Sequence, residues 1–313
     1  MTRGCAARTT ISSTPAGAEA VGSEPHLVLA VGATLGEGPV WVPRDNALWF
    51  VDIKSRHVHR FDPASGDAKR WDAPGEIGWV LPASDGGFVA GVADGLYRFE
   101  PEGEGFAKLR DAEPHLPDNR LNDAATDRQG RIWFGSMDNG EELRTGKLYR
   151  FEDGIVVDSG LAPVTITNGP AIAPDGGTLY AVDTMGKQIH AHTIAHDGTL
   201  SDGRCFIAFD DSVKGNPDGA ICDSQGGVWV AFYGGWAVRR YDSSGTLTHQ
   251  IDFPVANITK IALGGEDGCD AYATTARKGL NDAELAQQPL AGHLFHFRVD
   301  IPGIPVTSAN VKP

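Results

Sequence analysis

Four residues far apart in the chain, Glu37, Asn122, Asn168 and Asp218, share one kind of setting. Asn122 stands eight residues before Gly130, Asn168 eight before Gly176 and Asp218 eight before Gly226. Each opens a similar phrase: Asn-Asp-Ala-Ala, Asn-Gly-Pro-Ala and Asp-Gly-Ala-Ile. Glu37, in Leu-Gly-Glu-Gly-Pro-Val-Trp, holds the comparable place upstream. Brought together, two carboxylates and two amide oxygens form a hard oxygen donor set with no imidazole and no thiol. Such a set suits Ca²⁺, Mg²⁺ or Mn²⁺, and it accepts Zn²⁺ or Fe²⁺ with fewer ligands and some waters. A single Asn-Gly or Asp-Gly is ordinary turn chemistry. Recurrence in register before four strand-like runs asks for more than turns.

The elements that must bring these residues together repeat. Six segments, 47–67, 86–104, 130–154, 177–198, 226–245 and 270–300, share one style. Each opens with an apolar, β-branched and aromatic run, breaks, resumes with a second run ending in an aromatic, and closes on a polar Gly or Asp turn. Arg and aromatic residues alternate in Leu-Tyr-Arg-Phe-Glu at 96–100 and 148–152 and in Val-Arg-Arg-Tyr-Asp at 238–242. That period of two marks half-buried antiparallel strands. Only Asp-Ala-Glu-Leu-Ala-Gln at 282–287 hints at a helical period.

A repeat every ~40–50 residues is the size of a four-stranded propeller blade. Six units predict an all-β, six-bladed propeller, with a pair of sandwich domains as the alternative. A ring leaves only short, protected strand edges, and it has to close. The spare strand His-Leu-Val-Leu-Ala-Val at 26–31 is expected to join the last strand, 293–299, in one blade. In such a ring the residues preceding each inner strand surround the channel mouth, with positions near Ile77 and Lys260 supplied by the other two blades.

The bulk numbers agree with a globular chain: 313 residues, 41% hydrophobic, 40 glycines and 19 prolines for many tight turns. A net charge of −14 and a pI near 5.1 repel polyanions, so nucleic acid is not an expected partner. No apolar run approaches the ~20 residues of a membrane span. Residues 1–24 are small and polar without a signal-peptide core, and are read as a disordered extension. The propeller is assigned to 25–302 and a C-terminal tail to 303–313. A cytoplasmic monomer is expected. Cys5, Cys205, Cys222 and Cys269 have no C-x-x-C spacing and are read as buried free thiols. The Asn257-Ile-Thr sequon then carries no meaning.

Competing catalytic schemes lack their motifs: no G-x-S-x-G elbow, no H-E-x-x-H helix and no G-x-x-x-x-G-K-[ST] loop occurs. His57 with His59, and His190 with His192, alternate on one strand face each, but exposed strand histidines are commoner than metal ligands. Trp49, Trp133 and Trp229 recur at blade starts and read as core.

The motifs Leu-Gly-Glu-Gly-Pro-Val-Trp (35–41), Arg-Leu-Asn-Asp-Ala-Ala (120–125), Ile-Thr-Asn-Gly-Pro-Ala-Ile (166–172), Pro-Asp-Gly-Ala-Ile (217–221) and Thr-Thr-Ala-Arg-Lys-Gly-Leu (274–280) resemble those of the regucalcin/gluconolactonase family, nearest its bacterial pentonolactonases. The match runs through residues 27–300 or so. The resemblance implies a six-bladed propeller and metal-dependent hydrolysis of a sugar lactone, a xylono-, arabinono-, galactono- or gluconolactone. It implies one divalent cation on Glu37, Asn168 and Asp218, with Arg120 and Asn122 on the sugar. A family glutamate that also touches the sugar falls near Gly140; it is carried to Glu141.

The resemblance also implies that Asp218 is the general base. A carboxylate that ligates a metal is a weaker base, so the alternative, that water activated by the cation is itself the nucleophile, stays open. Two rival functions share the scaffold: a phosphotriesterase or aryl esterase, and a non-enzymatic calcium-binding regulator.

Overall fold

The computed structural model describes residues 23–201 and 203–311. Most of the expected disordered extension, including Cys5, lies outside the described residues. The described strands form six four-stranded antiparallel sheets arranged as the blades of a propeller. Their inner strands are Gly36–Val42, Ile77–Pro82, Asn119–Thr126, Thr167–Ile172, Asn216–Cys222 and Ile258–Gly264. We number the blades one to six in that order. The alternative of two sandwich domains is not the one observed.

Blades one to five each take four consecutive strands, while the sixth is completed by the N-terminal strand. His26–Leu29 pairs antiparallel with Leu294–Arg298, so the first and last parts of the propeller share one sheet, as the unpaired strand at 26–31 predicted. The one described α-helix, Asp282–Gln287, lies in a loop of the sixth blade. Its capping box explains why so short a helix forms. Asn281 Oδ1 accepts from Glu284 N at 3.0 Å and Glu284 Oε2 accepts from Asn281 N at 2.8 Å.

One staple recurs in alternate blades. An Asp at the lower turn accepts the indole N–H of a Trp on the next strand: Asp45 from Trp49 at 3.0 Å, Asp127 from Trp133 at 2.9 Å and Asp223 from Trp229 at 2.9 Å. The three tryptophans are buried core residues, as expected. Each gains apolar burial while its polar hydrogen stays satisfied.

Inner strands pack close around the axis because their glycines lack Cβ. A Cβ on Gly78 would sit 2.6 Å from the Asn122 carbonyl oxygen of the next blade. One on Gly38, in the left-handed region at φ +53°, would sit 2.8 Å from the Gly78 carbonyl oxygen.

The segment after the last strand crosses the lower end of the channel. Gly303 N donates to Gly268 O at 2.8 Å, Ala309 N to Pro82 O at 2.7 Å and Asn310 N to Gly130 O at 2.8 Å. Above it, Ile304, Pro305 and Val306 help to line a mostly apolar cavity of about 150 Å³.

Of the cysteines, Cys222 is free and buried and Cys269 is free and half-buried. Cys205 is disulfide-bonded, which corrects the expectation of a free thiol there. It lies on the outer strand Arg204–Ala208 and is half-buried.

Candidate metal and substrate site

Every inner strand carries a register shift near its upper end. The shifts fall between Glu37 and Val40, Ile77 and Trp79, Leu121 and Ala124, Asn168 and Ala171, Pro217 and Ala220, and Ile258 and Lys260. A bulge kinks a strand and re-aims the side chain beside it. Glu37 and Asn168 immediately precede their bulges, while Asn122 and Asp218 lie within theirs. Six bulges at one height therefore turn these residues toward the channel mouth. All four are at least nine-tenths buried: Glu37 is 3% exposed, Asn122 4%, Asn168 4% and Asp218 6%.

Hydrogen bonds fix the amides. Asn168 Nδ2 donates to Thr184 Oγ1 at 2.9 Å, which leaves Asn168 Oδ1 facing Asn122. Asn122 Nδ2 donates to Asn168 Oδ1 at 3.1 Å and to Thr167 O at 2.7 Å. Asn122 Oδ1 accepts from Arg120 Nη1 at 2.7 Å. The result is a chain from Arg120 through Asn122 to the Asn168 oxygen.

Arg120 is 2% exposed and its Nε has no hydrogen-bond partner. Its nearest counter-ion, Glu76 Oε2, is 3.9 Å from that nitrogen. Burial lowers the Arg120 pKa, and the carboxylates of Glu76, Glu141, Glu37 and Asp218 oppose that shift.

The carboxylates are unbalanced. Among the described residues neither Glu37 nor Asp218 forms an ion pair, and no hydrogen bond reaches the Asp218 carboxylate. Glu37 Oε2 accepts only the Gly38 amide, at 2.9 Å. Burial pushes the Glu37 pKa up to about 8, with Asp123 adding to the rise. Burial, then Glu37 and Asp123, hold Asp218 well above the usual carboxylate range. Two buried carboxylates that repel each other, next to an oriented amide oxygen, are a donor set that a hard divalent cation would balance. By this measure Glu37, Asn168 and Asp218 fit such an ion.

Neither histidine pair gathers a comparable set. The His57 and His59 rings are 5.9 Å apart and those of His190 and His192 6.4 Å. Among the described residues no three His, Cys, Asp or Glu side chains form a metal-holding group. Burial lowers the His59 pKa to about 4, so it is a neutral core residue stacked on Phe50.

Loops add residues that the ring pattern missed. Glu141, in the left-handed region at φ +63°, pairs across the mouth with Lys278. Lys278 is itself pinned by its backbone. Its N–H donates to Thr34 O at 2.8 Å, and its carbonyl accepts from Asn257 Nδ2 at 3.1 Å and from the Tyr233 hydroxyl. The sequon residue Asn257 is thus buried and engaged. Tyr233 feels the charges of Asp218, Glu141 and Glu37. Lys54 holds Glu76 at 3.0 Å. Asp123 directly follows Asn122, and Lys260 was legible as a ring position. Tyr233, Glu76 and Lys54 carried no sequence signal.

A model of the SMP-30/Gluconolactonase/LRE-like region matches residues 35–277. The chain is 31% identical to a 6-deoxy-6-sulfogluconolactonase of Pseudomonas putida, over 87% of this chain and 93% of that one. It is 34% identical to an L-arabinolactonase of Azospirillum brasilense, over 84% and 87%. In structure it resembles a calcium-binding regucalcin of Agrobacterium tumefaciens, with a TM-score of 0.88 and 27% identity, over 93% of this chain and 98% of that one. With the bulged ring in place and a match over most of the propeller, the chain belongs to the SMP-30/gluconolactonase/LRE-like family.

Proposed function

We propose that this protein hydrolyses a sugar lactone to its aldonic acid, using one divalent cation held by Glu37, Asn168 and Asp218. The observation that carries the reading is the pair of buried, unpaired carboxylates beside the Arg120–Asn122–Asn168 chain. The relatives named as lactonases support the reaction class. The protein works as a monomer on a small-molecule substrate, without nucleic acid or membrane.

A cation bound there supplies Lewis acidity to the lactone carbonyl and makes water more acidic. The chain's own residues do the rest. Arg120 Nε, a buried donor without a partner, hydrogen-bonds a substrate oxygen and stabilises developing negative charge. Asn122 has both amide hydrogens committed, so it offers the sugar only the free lone pair of Oδ1, which suits a hydroxyl. Glu141 accepts a further hydroxyl at the mouth.

Asp218 takes a proton as water oxygen attacks the carbonyl carbon. When the ring C–O bond breaks, that proton goes to the departing ring oxygen, leaving a carboxylic acid and a hydroxyl. The carboxyl then ionises.

The test is acid release from fresh xylono-, arabinono-, galactono- and gluconolactone by chelator-stripped protein, with Ca²⁺, Mg²⁺, Mn²⁺, Zn²⁺ or anaerobic Fe²⁺ restored. Glu37→Ala is the matched control. Cation-dependent opening that Glu37→Ala loses supports the reading. Opening no faster than the spontaneous rate sinks it. The calcium-binding relative then favours a binding protein, unless phosphotriester turnover appears.

A further inference from the structure

Beneath the ring lies an ion pair that none of these steps uses. Lys260, on the inner strand of blade six, donates to Asp123 Oδ1, on the inner strand of blade three, at 2.5 Å. In a ring of six, those blades face each other, so the pair spans the channel. Both residues are enclosed: Lys260 is 4% exposed and Asp123 1%.

The lysine is locked in place beside the metal ligands. A Cβ on Gly219, the residue after Asp218, would come within 2.5 Å of the Lys260 Cβ and Cγ. Asp123 Oδ1 also accepts the Ala124 amide at 2.8 Å, while Asp123 Oδ2 is buried without a partner. Glu37 and Asp218 each feel both Asp123 and Lys260. The enclosed charges are thus three carboxylates, Glu37, Asp218 and Asp123, against two cations, Arg120 and Lys260.

We propose that Lys260 is a built-in counter-cation that keeps Asp123 out of the metal's ligand set and so limits affinity for the divalent ion. The inference rests on the proposed metal site at Glu37, Asn168 and Asp218. With Asp123 neutralised by Lys260, two carboxylates balance a dication, and Arg120 is left to face the charge that develops on the substrate. A third free carboxylate would over-neutralise the ion, weaken it as a Lewis acid and repel an anionic product. Lys260 is a positioning residue: it acts through Asp123 and touches neither substrate nor metal.

The experiment titrates Ca²⁺ and Mn²⁺ into chelator-stripped protein by calorimetry, for wild type, Lys260→Met, Asp123→Asn and the double variant, with circular dichroism as the folding control. Lys260→Met should bind the cation roughly tenfold tighter or more, because a unit charge at short range in a partly dry site is removed. Asp123→Asn, which leaves Lys260 unpaired, should bind it more weakly by a similar factor, and the double variant should return near wild type. A folded Lys260→Met with unchanged or weaker affinity overturns the inference. If Lys260→Met does not fold, unchanged affinity in Asp123→Asn overturns it instead. A wild type that binds no divalent cation sinks the metal site and this inference together. Binding by wild type with no effect of any variant sinks the inference alone.

Discussion

At the scale of single residues, the site is governed by what burial does to charge. Among the described residues Asp218 has no hydrogen-bond donor to hold its carboxylate ionised, so desolvation and then its acidic neighbours raise its proton affinity against the pull of Arg120 and Lys260. Without the cation, that raises its proton affinity above an exposed aspartate's, and a ligated cation would lower it again. Asp218→Asn should lower kcat by roughly 100-fold or more, the scale of a lost general base. Calorimetry should show a smaller loss of cation affinity; equal losses would reduce Asp218 to a ligand. Glu37 gives a pH prediction. Its pKa is raised by burial from 4.5 to about 8, so the folded state without metal holds a proton that the unfolded chain releases. Stability from this group is therefore full below pH 4.5 and is lost as pH rises toward 8. Melting curves of metal-free protein should show Glu37→Gln gaining on wild type across that window. Added cation should restore the wild type most at the alkaline end. A pH-independent difference between the two proteins would contradict the assignment.

At the scale of elements, function depends on where a strand bends and where a loop reaches. The bulges are the legible part. Asn122, Asn168 and Asp218 stand at fixed distances from a turn glycine because each inner strand has the same length between bulge and turn, so one spacing recurs. Trp49, Trp133 and Trp229 are legible as core because they recur at blade starts, while their partners Asp45, Asp127 and Asp223 are not singled out in the sequence. Lys278 is different. Its chemistry depends on meeting Glu141 across the channel, a contact between loops of opposite blades that no local period encodes. Tyr233 and Glu76 escaped for the same cause. The disulfide at Cys205 escaped because spacing does not reveal which sulfurs approach. The Glu141–Lys278 pair bridges the mouth and is half-exposed, with 37% and 31% of the side chains accessible, so it is open to exchange with substrate hydroxyls. Glu141→Ala should raise KM for sugar lactones severalfold. It should leave KM for an unsubstituted five- or six-membered lactone nearly unchanged. Equal effects on both would remove Glu141 from sugar recognition.

At the scale of the whole molecule, the channel has two unlike ends. The upper end gathers the carboxylates, Arg120 and the loop ion pair. The lower end is an apolar cavity with Ile304, Pro305 and Val306 at its floor. Between them the Lys260–Asp123 pair crosses the channel and separates polar chemistry from apolar packing. Residues 303–311 look like a loose tail in sequence, because proline and glycine there break any strand period. Yet Ala309 is fully buried, and the segment bonds to the lower turns of blades two, three and six. It thus ties the lower rim on one side while the shared sixth blade closes the ring on another. The two ends should respond separately. Deleting 304–313 removes several backbone hydrogen bonds worth ~1 kcal/mol each, partly offset by the freed entropy of the segment. The melting temperature should fall by roughly 5 °C. The ranking of lactones should hold at temperatures where the truncated protein remains folded, since Glu37, Asn168 and Asp218 do not line the cavity that the lost segment lines, whereas Lys260 and Asp123 do. A truncation that abolished cation binding while the melting temperature held would mean that the two ends communicate through the channel, and that Lys260 and Asp123 transmit rather than divide.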